Sequence, residues 1–213
     1  MHNGGLGAFA KIRRGMINLM SQTAVERIQG TTDSEHLAML FFTYLAARVD
    51  RHGDDLLEHS HPLPDVKAAL EKAIADCIRL QRDYIASEEQ ASRPAPPFEA
   101  SSLNIAITDG AQLLAIRFRN HETEYPPSLY YSTTAGATLN RCFEDHPDSF
   151  EKGQVRAQYA SDLRTYEQHG RHVIISSEPI TYREQDWKLV EKNECLMVDE
   201  HQAITKEPVN VLS

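Results

Sequence analysis

Apolar residues recur every three or four positions in the first part of the chain and every second position beyond residue 102, so helices precede strands. Residues 6–20 read as a helix, with Phe9, Ile12, Met16 and Leu19 on one face and Lys11, Arg13 and Arg14 between them. The run before it, His2-Asn3-Gly4-Gly5, reads as a polar turn. A second helix starts near Thr32. There Thr32-Asp33-Ser34-Glu35 has the form of a capping box: the Thr32 hydroxyl accepts the Glu35 amide, and the Glu35 carboxylate reaches back to the Thr32 amide. Leu37, Leu40, Phe41, Tyr44 and Leu45 make its apolar face, which ends before Arg51-His52-Gly53. A third helix runs from about Pro64, an acceptable first-turn residue, to about Ile85, with Val66, Leu70, Ile74, Cys77, Ile78 and Tyr84 on one side.

Ser92-Arg93-Pro94-Ala95-Pro96-Pro97 cannot be helical and marks the change of regime. Leu103–Thr108, then Asp109-Gly110, then Leu113–Phe118 is a strand, a turn and a strand, the pattern of a hairpin. Ser128–Ser132, Val173–Ser176 and Cys195–Val198 read as further short strands, the last paired with Gln202–Thr205. Residues 140–170 are polar, with few periodic apolar positions, and read as a long, poorly ordered loop or insertion. No internal repeat is visible. Three helices followed by a run of strands predict an α+β fold or a layered sandwich rather than alternating βαβ units, organised as a single domain over 1–213 with a Pro-rich connector at about 91–101 and a mobile insertion at about 140–170.

Composition narrows the function classes. The apolar share of 41% supports a folded core. With 31 acidic and 22 basic residues the formal net charge is -9, and no basic cluster exceeds Lys11-Ile12-Arg13-Arg14. A nucleic-acid partner, which needs a cationic stripe to displace counterions, is therefore not expected. The longest nearly apolar run, Leu37–Ala47, is interrupted by Thr43 and Tyr44 and falls short of the roughly 20 residues of a membrane span. No basic, apolar secretory start precedes it. Cys77, Cys142 and Cys195 are odd in number and widely spaced, which argues against a disulfide framework and for a reducing compartment. The expectation is a soluble, cytoplasmic protein with no membrane association.

Four clusters carry candidate chemistry. His2-Asn3-Gly4-Gly5 can present backbone amides and the Asn3 carboxamide to a developing oxyanion, although a plain turn uses the same residues. Asp33 lies in a first helical turn, where a carboxylate either complements the helix dipole or offers oxygens to a ligand ammonium. His52, His59 and His61 share a loop, but no Cys/His pair completes a zinc spacing, so the loop reads as solvated and no metal is expected. Ser176-Ser177-Glu178-Pro179 follows an apolar strand without the glycines of a nucleophile elbow and reads as a strand-ending turn. Cys77 and Cys195 fall on apolar faces, where a thiol is inert. Cys142 has no evident base beside it.

In series these motifs are more specific than alone. His2-Asn3-Gly4-Gly5, then Ile28-Gln29-Gly30-Thr31-Thr32-Asp33-Ser34-Glu35, Leu103–Gly110, Pro127–Ser132, Ser176–Thr181 and Asp186-Trp187 together resemble the class II glutamine amidotransferases. Within that family they look like the fungal subunit of the DUG pathway of cytosolic glutathione degradation. The resemblance covers nearly the whole chain apart from 140–170. It implies an N-terminal-nucleophile hydrolase fold, an αββα sandwich of two β-sheets between helical layers. In that family an N-terminal cysteine attacks the side-chain amide of glutamine, and its own α-amine handles the proton. The Asn and Gly of the HNG motif form the oxyanion hole, here Asn3 and Gly4. The Asp of the TDSE-type motif holds the substrate α-amino group, here Asp33.

The chain departs from the family at its start, where a Cys after the initiator Met, several strands and a carboxylate-binding Arg have no counterpart. The expectation is a truncated domain lacking its N-terminal strands, without a nucleophile and inactive as given, its uncovered faces making it unstable or oligomeric. The resemblance implies no cofactor. It implies glutamine or glutathione as small-molecule substrate and a peptidase-like partner subunit. The alternative is a non-catalytic scaffold or partner-binding subunit.

Overall fold

Four helices precede the main hairpin. The computed structural model describes residues 1–91, 97–135, 172–181 and 183–211. The expected insertion at 140–170, most of the Pro-rich run and Cys142 lie outside these residues. Among the described residues the helices are α1 (Phe9–Leu19), α2 (Gln22–Glu26), α3 (Asp33–Val49) and α4 (Leu63–Gln90). The strands are β1 (His2–Gly5), β2 (Ser102–Thr108), β3 (Leu113–Arg119), β4 (Tyr130–Ser132), β5 (Ile174–Ser176), β6 (Lys188–Leu189), β7 (Glu194–Val198) and β8 (Ile204–Pro208). The class is mixed α and β with antiparallel sheets. No described helix is long and apolar enough to cross a membrane.

One unit comprises Met1–Pro127 and Glu191–Ser213. Its sheet runs in the order β1-β2-β3-β7-β8, every neighbour antiparallel. Alternation along each strand sends Leu103 and Ile105, Leu114, Ile116 and Phe118, and Cys195 and Met197 to one face. There they join Ile12 and Met16 of α1, Leu37, Leu40 and Phe41 of α3, and Leu70, Ile74 and Ile78 of α4 in a single core. Phe118, Met16, Leu40 and Ile74 are fully buried, each contributing about 1.5–3 kcal/mol from removal of apolar surface from water. The opposite face is buried at its centre too, at Asn104, Ala115, Arg117 and Leu196.

The second unit, Ser128–Val190, contains the small sheet β5-β4-β6. Ser132 Oγ accepts the amides of Thr134 and Ala135, and Trp187 Nε1 donates to Thr181 Oγ1 at 2.8 Å. Ser176 ends β5, its hydroxyl donating to the Glu178 carbonyl, so the Ser-Ser-Glu-Pro run is the strand-ending turn expected of it.

Three readings need correction. His2–Gly5 is a strand rather than a turn, because β2, about a hundred residues downstream, pairs with all four residues. The first helix starts at Phe9, not residue 6: Ala8 holds a left-handed φ of 52° at its N-cap. The last strand is Ile204–Pro208, since Asp199–Gln202 make the turn, with Gln202 at φ 62°. The short elements α2 and β6 carry too few residues to show a period.

Candidate functional site

The capping box forms only in part. Thr32 Oγ1 accepts the Glu35 amide at 3.3 Å, as expected. The Glu35 carboxylate turns instead to the preceding loop, accepting Gln29 N and Gly30 N at 2.8 Å each. A carboxylate can bind two adjacent amides at once, which outweighs the single Thr32 amide. The result is a fixed entry to α3, with Asp33 as its first residue.

Asp33 is half-buried and joined to the strand that carries Asn3 and Gly4. Its Oδ1 accepts Ser34 N at 2.8 Å, and its Oδ2 accepts Leu6 N at 2.8 Å. The next two amides are held from elsewhere: Gly7 N donates to Ser101 Oγ at 3.0 Å and Ala8 N to Glu99 Oε2 at 2.9 Å. Three successive amides at the entry to α1 are thus fixed by three separate side chains. A second clasp joins β1 to α3, with His2 Nδ1 and Ser34 Oγ 2.6 Å apart. Burial pushes the His2 imidazole pKa down, against the opposing pull of Asp33, so the ring favours its neutral form. A third clasp joins the helices. The fully buried His36 donates from Nδ1 to the Thr32 carbonyl at 2.8 Å, which makes Nε2 the acceptor for Arg13 Nε at 3.0 Å.

Gly4 is committed to its residue type. Its φ of 127° is strained for L side chains, and a Cβ there would meet the Ser102 carbonyl oxygen at 1.9 Å. The ladder also sets the direction of its amide. Met1 and Ala106 exchange both backbone bonds, at 2.8 and 2.9 Å. In an antiparallel pair such exchanges alternate along the strand. The amides of Asn3 and Gly5 therefore face β2, and those of His2 and Gly4 face outward along the sheet edge. Both Asn3 and Gly4 are exposed. An edge amide pointing to solvent beside an exposed carboxamide can bind an oxyanion. Asp33 stands close by: a Cβ on Gly5 would lie 3.5 Å from its Oδ2.

The structure therefore brings Asn3, Gly4 and Asp33 into one neighbourhood. A cavity of about 560 Å³ adjoins it, lined by His2, Thr32, Ser34, Glu35, Phe41 and Ile105 among others, and not by Asn3, Gly4 or Asp33 themselves. Its size suits a small molecule. The other candidates lie apart. His61 is buried and donates to the Leu56 carbonyl, and His59 Nδ1 meets the Asp55 carbonyl, so both knit their own loop. Burial pushes the thiols of Cys77 and Cys195 up to about 12, which keeps them protonated.

Sequence reasoning missed Asn104 and Arg117. Both are polar residues inside apolar strands, and both are nearly fully buried, at 3% and 5% exposure. Arg117 donates from Nε to the Pro127 carbonyl at 2.8 Å and from a terminal nitrogen to the Pro126 carbonyl at 2.9 Å. A guanidinium so placed is not an exposed anchor for a substrate carboxylate.

No family model matches the chain. It is 29% identical over 209 residues to the probable glutamine amidotransferase DUG3 of Saccharomyces cerevisiae, an alignment that covers 98% of this chain and 51% of that protein. The chain thus spans about half the length of this curated relative. A solved structure of a glutamine aminotransferase class-II domain protein from Silicibacter pomeroyi shares the fold, with a TM-score of 0.55 at 20% identity, over 98% of this chain and 65% of that one. The chain is thus similar in sequence to a probable glutamine amidotransferase and in fold to a glutamine aminotransferase class-II domain protein.

Proposed function

We propose that the chain carries the recognition side of a glutaminase site, acting on the γ-glutamyl amide of glutamine or glutathione within an N-terminal-nucleophile αββα fold. Asn3 Nδ2 and the Gly4 amide are the oxyanion donors, and the Asp33 carboxylate receives the substrate ammonium. The observation that carries this reading is the Leu6 N to Asp33 Oδ2 bond, 2.8 Å, which holds the carboxylate beside the strand whose Gly4 amide faces outward. Oxyanion donors and an ammonium acceptor on one edge suit the two ends of a γ-glutamyl group. Such donors supply about 10²–10³ in rate where removed singly. No cofactor enters, because the groups required are all protein groups.

Neither described thiol can attack, since Cys77 and Cys195 are buried with pKa values near 12. On this reading the 213 residues are expected to bind L-glutamine without releasing glutamate. This favours a second reading, a non-catalytic subunit that docks a peptidase-like partner in cytosolic glutathione degradation. Calorimetric titration with L-glutamine, alongside an assay for released glutamate, tests both. Binding that Asp33→Ala abolishes supports the recognition site. Glutamate release by the chain itself overturns the inactive assignment. Absence of any binding, together with capture of the peptidase-like subunit, favours the docking reading.

A further inference from the structure

Helix α3 carries two apolar stripes. Leu37, Leu40, Phe41 and Leu45 belong to the core described above. Met39, Phe42 and Ala46, three and four positions apart, share the side of Thr43, which is turned toward α2. A surface helix ordinarily keeps that side polar. Here it is roofed only by the five-residue α2 and by residues 52–57, and a cavity of about 360 Å³ remains between them. Protein interiors close voids far smaller than this, and the volume is that of a small-ligand site. The small residues Ala46, Ala47 and Gly53 on its wall leave room that larger side chains would fill.

The polar groups at the α2 end are already matched to one another. Thr43 Oγ1 accepts Ser21 N at 3.1 Å and donates to the Met39 carbonyl at 2.9 Å, and Ser21 Oγ accepts Ala24 N at 3.2 Å. The interior therefore suits an apolar occupant. The rim differs. Arg27, at the end of α2, meets Asp54 at 2.5 Å, and its side chain engages no other acceptor among the described residues. A guanidinium has five N–H donors, so donors are left over for a second acceptor. His52 lines the same rim and has no hydrogen-bond partner among the described residues. The rim loop also holds Asp55 and Glu58, which repel a dianion more strongly than a single carboxylate. We propose that this cavity binds a monocarboxylate with an apolar body, of the medium-chain fatty acid class. Its chain lies against Met39, Phe42, Ala46 and Leu56, and its carboxylate meets Arg27 beside His52. The site shares no residue with Asn3, Gly4, Asp33 or the cavity beside them except Phe42, and it stands independently of the glutaminase reading.

The test is calorimetric titration of the 213-residue protein with submicellar sodium decanoate, paired with backbone amide NMR shifts that locate the ligand. Shifts are expected at Ala24, Phe42, Ala46 and residues 52–57, and not at Asn3, Gly4 or Ser34. Ala46→Leu keeps the wall apolar but fills the space, and should weaken decanoate about tenfold or more. Arg27→Gln should weaken it about two- to fivefold, the range of a solvent-exposed ion pair. The uncharged 1-decanol should bind the unaltered chain more weakly than decanoate by a similar factor. If Ala46→Leu does not fold, Ala47→Leu at the rim carries the same test. Absence of decanoate binding, shifts centred elsewhere, or full affinity in the folded cavity-filling variant overturns the site. Decanol binding as tightly as decanoate, or Arg27→Gln without effect, overturns the carboxylate class.

Discussion

Asp33 Oδ2 accepts the backbone amide of Leu6 at 2.8 Å, bridging 27 positions of sequence between β1 and the start of α3. One carboxylate therefore closes the loop after the candidate oxyanion donors and, in the proposed reading, also presents charge to a ligand. These two duties separate by substitution. Asp33→Asn keeps one oxygen for Leu6 N but loses the charge and the acceptor for Ser34 N, so L-glutamine affinity should drop about ten- to hundredfold while stability falls by about 1 kcal/mol. Asp33→Ala removes both and should add about 1–3 kcal/mol of destabilisation, read from urea midpoints. Equal stability of the two variants would refute the bridging role.

Gly4 is the position least able to change. Its φ of 127° and the 1.9 Å approach of a Cβ to Ser102 O make Gly4→Ala costly by about 1–3 kcal/mol from backbone strain, before the clash is counted. Hydrogen exchange should then accelerate at Asn3 and Gly5, whose amides face β2, more than in the β2–β3 hairpin. Uniform exchange across the sheet would contradict the register described for β1.

His2 gives the site a pH dependence of definite sign. Burial lowers its pKa below the usual 6.5 in the folded chain. The unfolded chain then binds more protons in that range, so stability attributable to His2 is full above about pH 6.5 and is lost as pH falls below it. The difference in unfolding free energy between the wild type and His2→Gln should shift against the wild type between about pH 7 and pH 5. A difference that does not change with pH removes His2 from the account.

Glu35 holds Gln29 N and Gly30 N, so Glu35→Ala should cost about 1 kcal/mol and raise exchange at those two amides. Gly30→Ala should act in the same direction, because its Cβ would stand 2.8 Å from Glu35 Oε2. Loss of protection at Thr32 instead would restore the reciprocal capping box.

Cys77 and Cys195 should resist iodoacetamide at pH 8 in the folded chain and react once urea unfolds it, since both thiols are buried with pKa values near 12. Mass mapping of the labelled peptides distinguishes each site. Rapid labelling of either one in the native state would reopen it as a nucleophile.

What the sequence displayed plainly was local. Helical periodicity located α3 and α4 within a few residues, and the Asp109-Gly110 turn located the β2–β3 hairpin. The Thr32 cap was legible because donor and acceptor are three residues apart. The character of β1 was hidden: four residues including two glycines have little strand propensity, and only their distant partner makes them a strand. The same holds for Glu35, whose partners lie behind the helix rather than within it. Asn104 and Arg117 did leave a trace, as polar residues at alternate positions in apolar strands. A polar residue at every second strand position equally fits a solvent-facing pattern. Asn3, Gly4 and Asp33 were legible as residues with roles to fill, while their proximity depended on tertiary contacts.

The pairing of β1 with β2 also dictates the order in which this region takes shape. Met1 and Ala106 are 105 positions apart, whereas the β2–β3 hairpin closes over only a few residues. Closing a loop costs more conformational entropy the longer it is, and contacts of large sequence separation form late. The helices and the hairpin can therefore assemble first, and the edge that carries Asn3 and Gly4 is laid down as one of the final steps of folding.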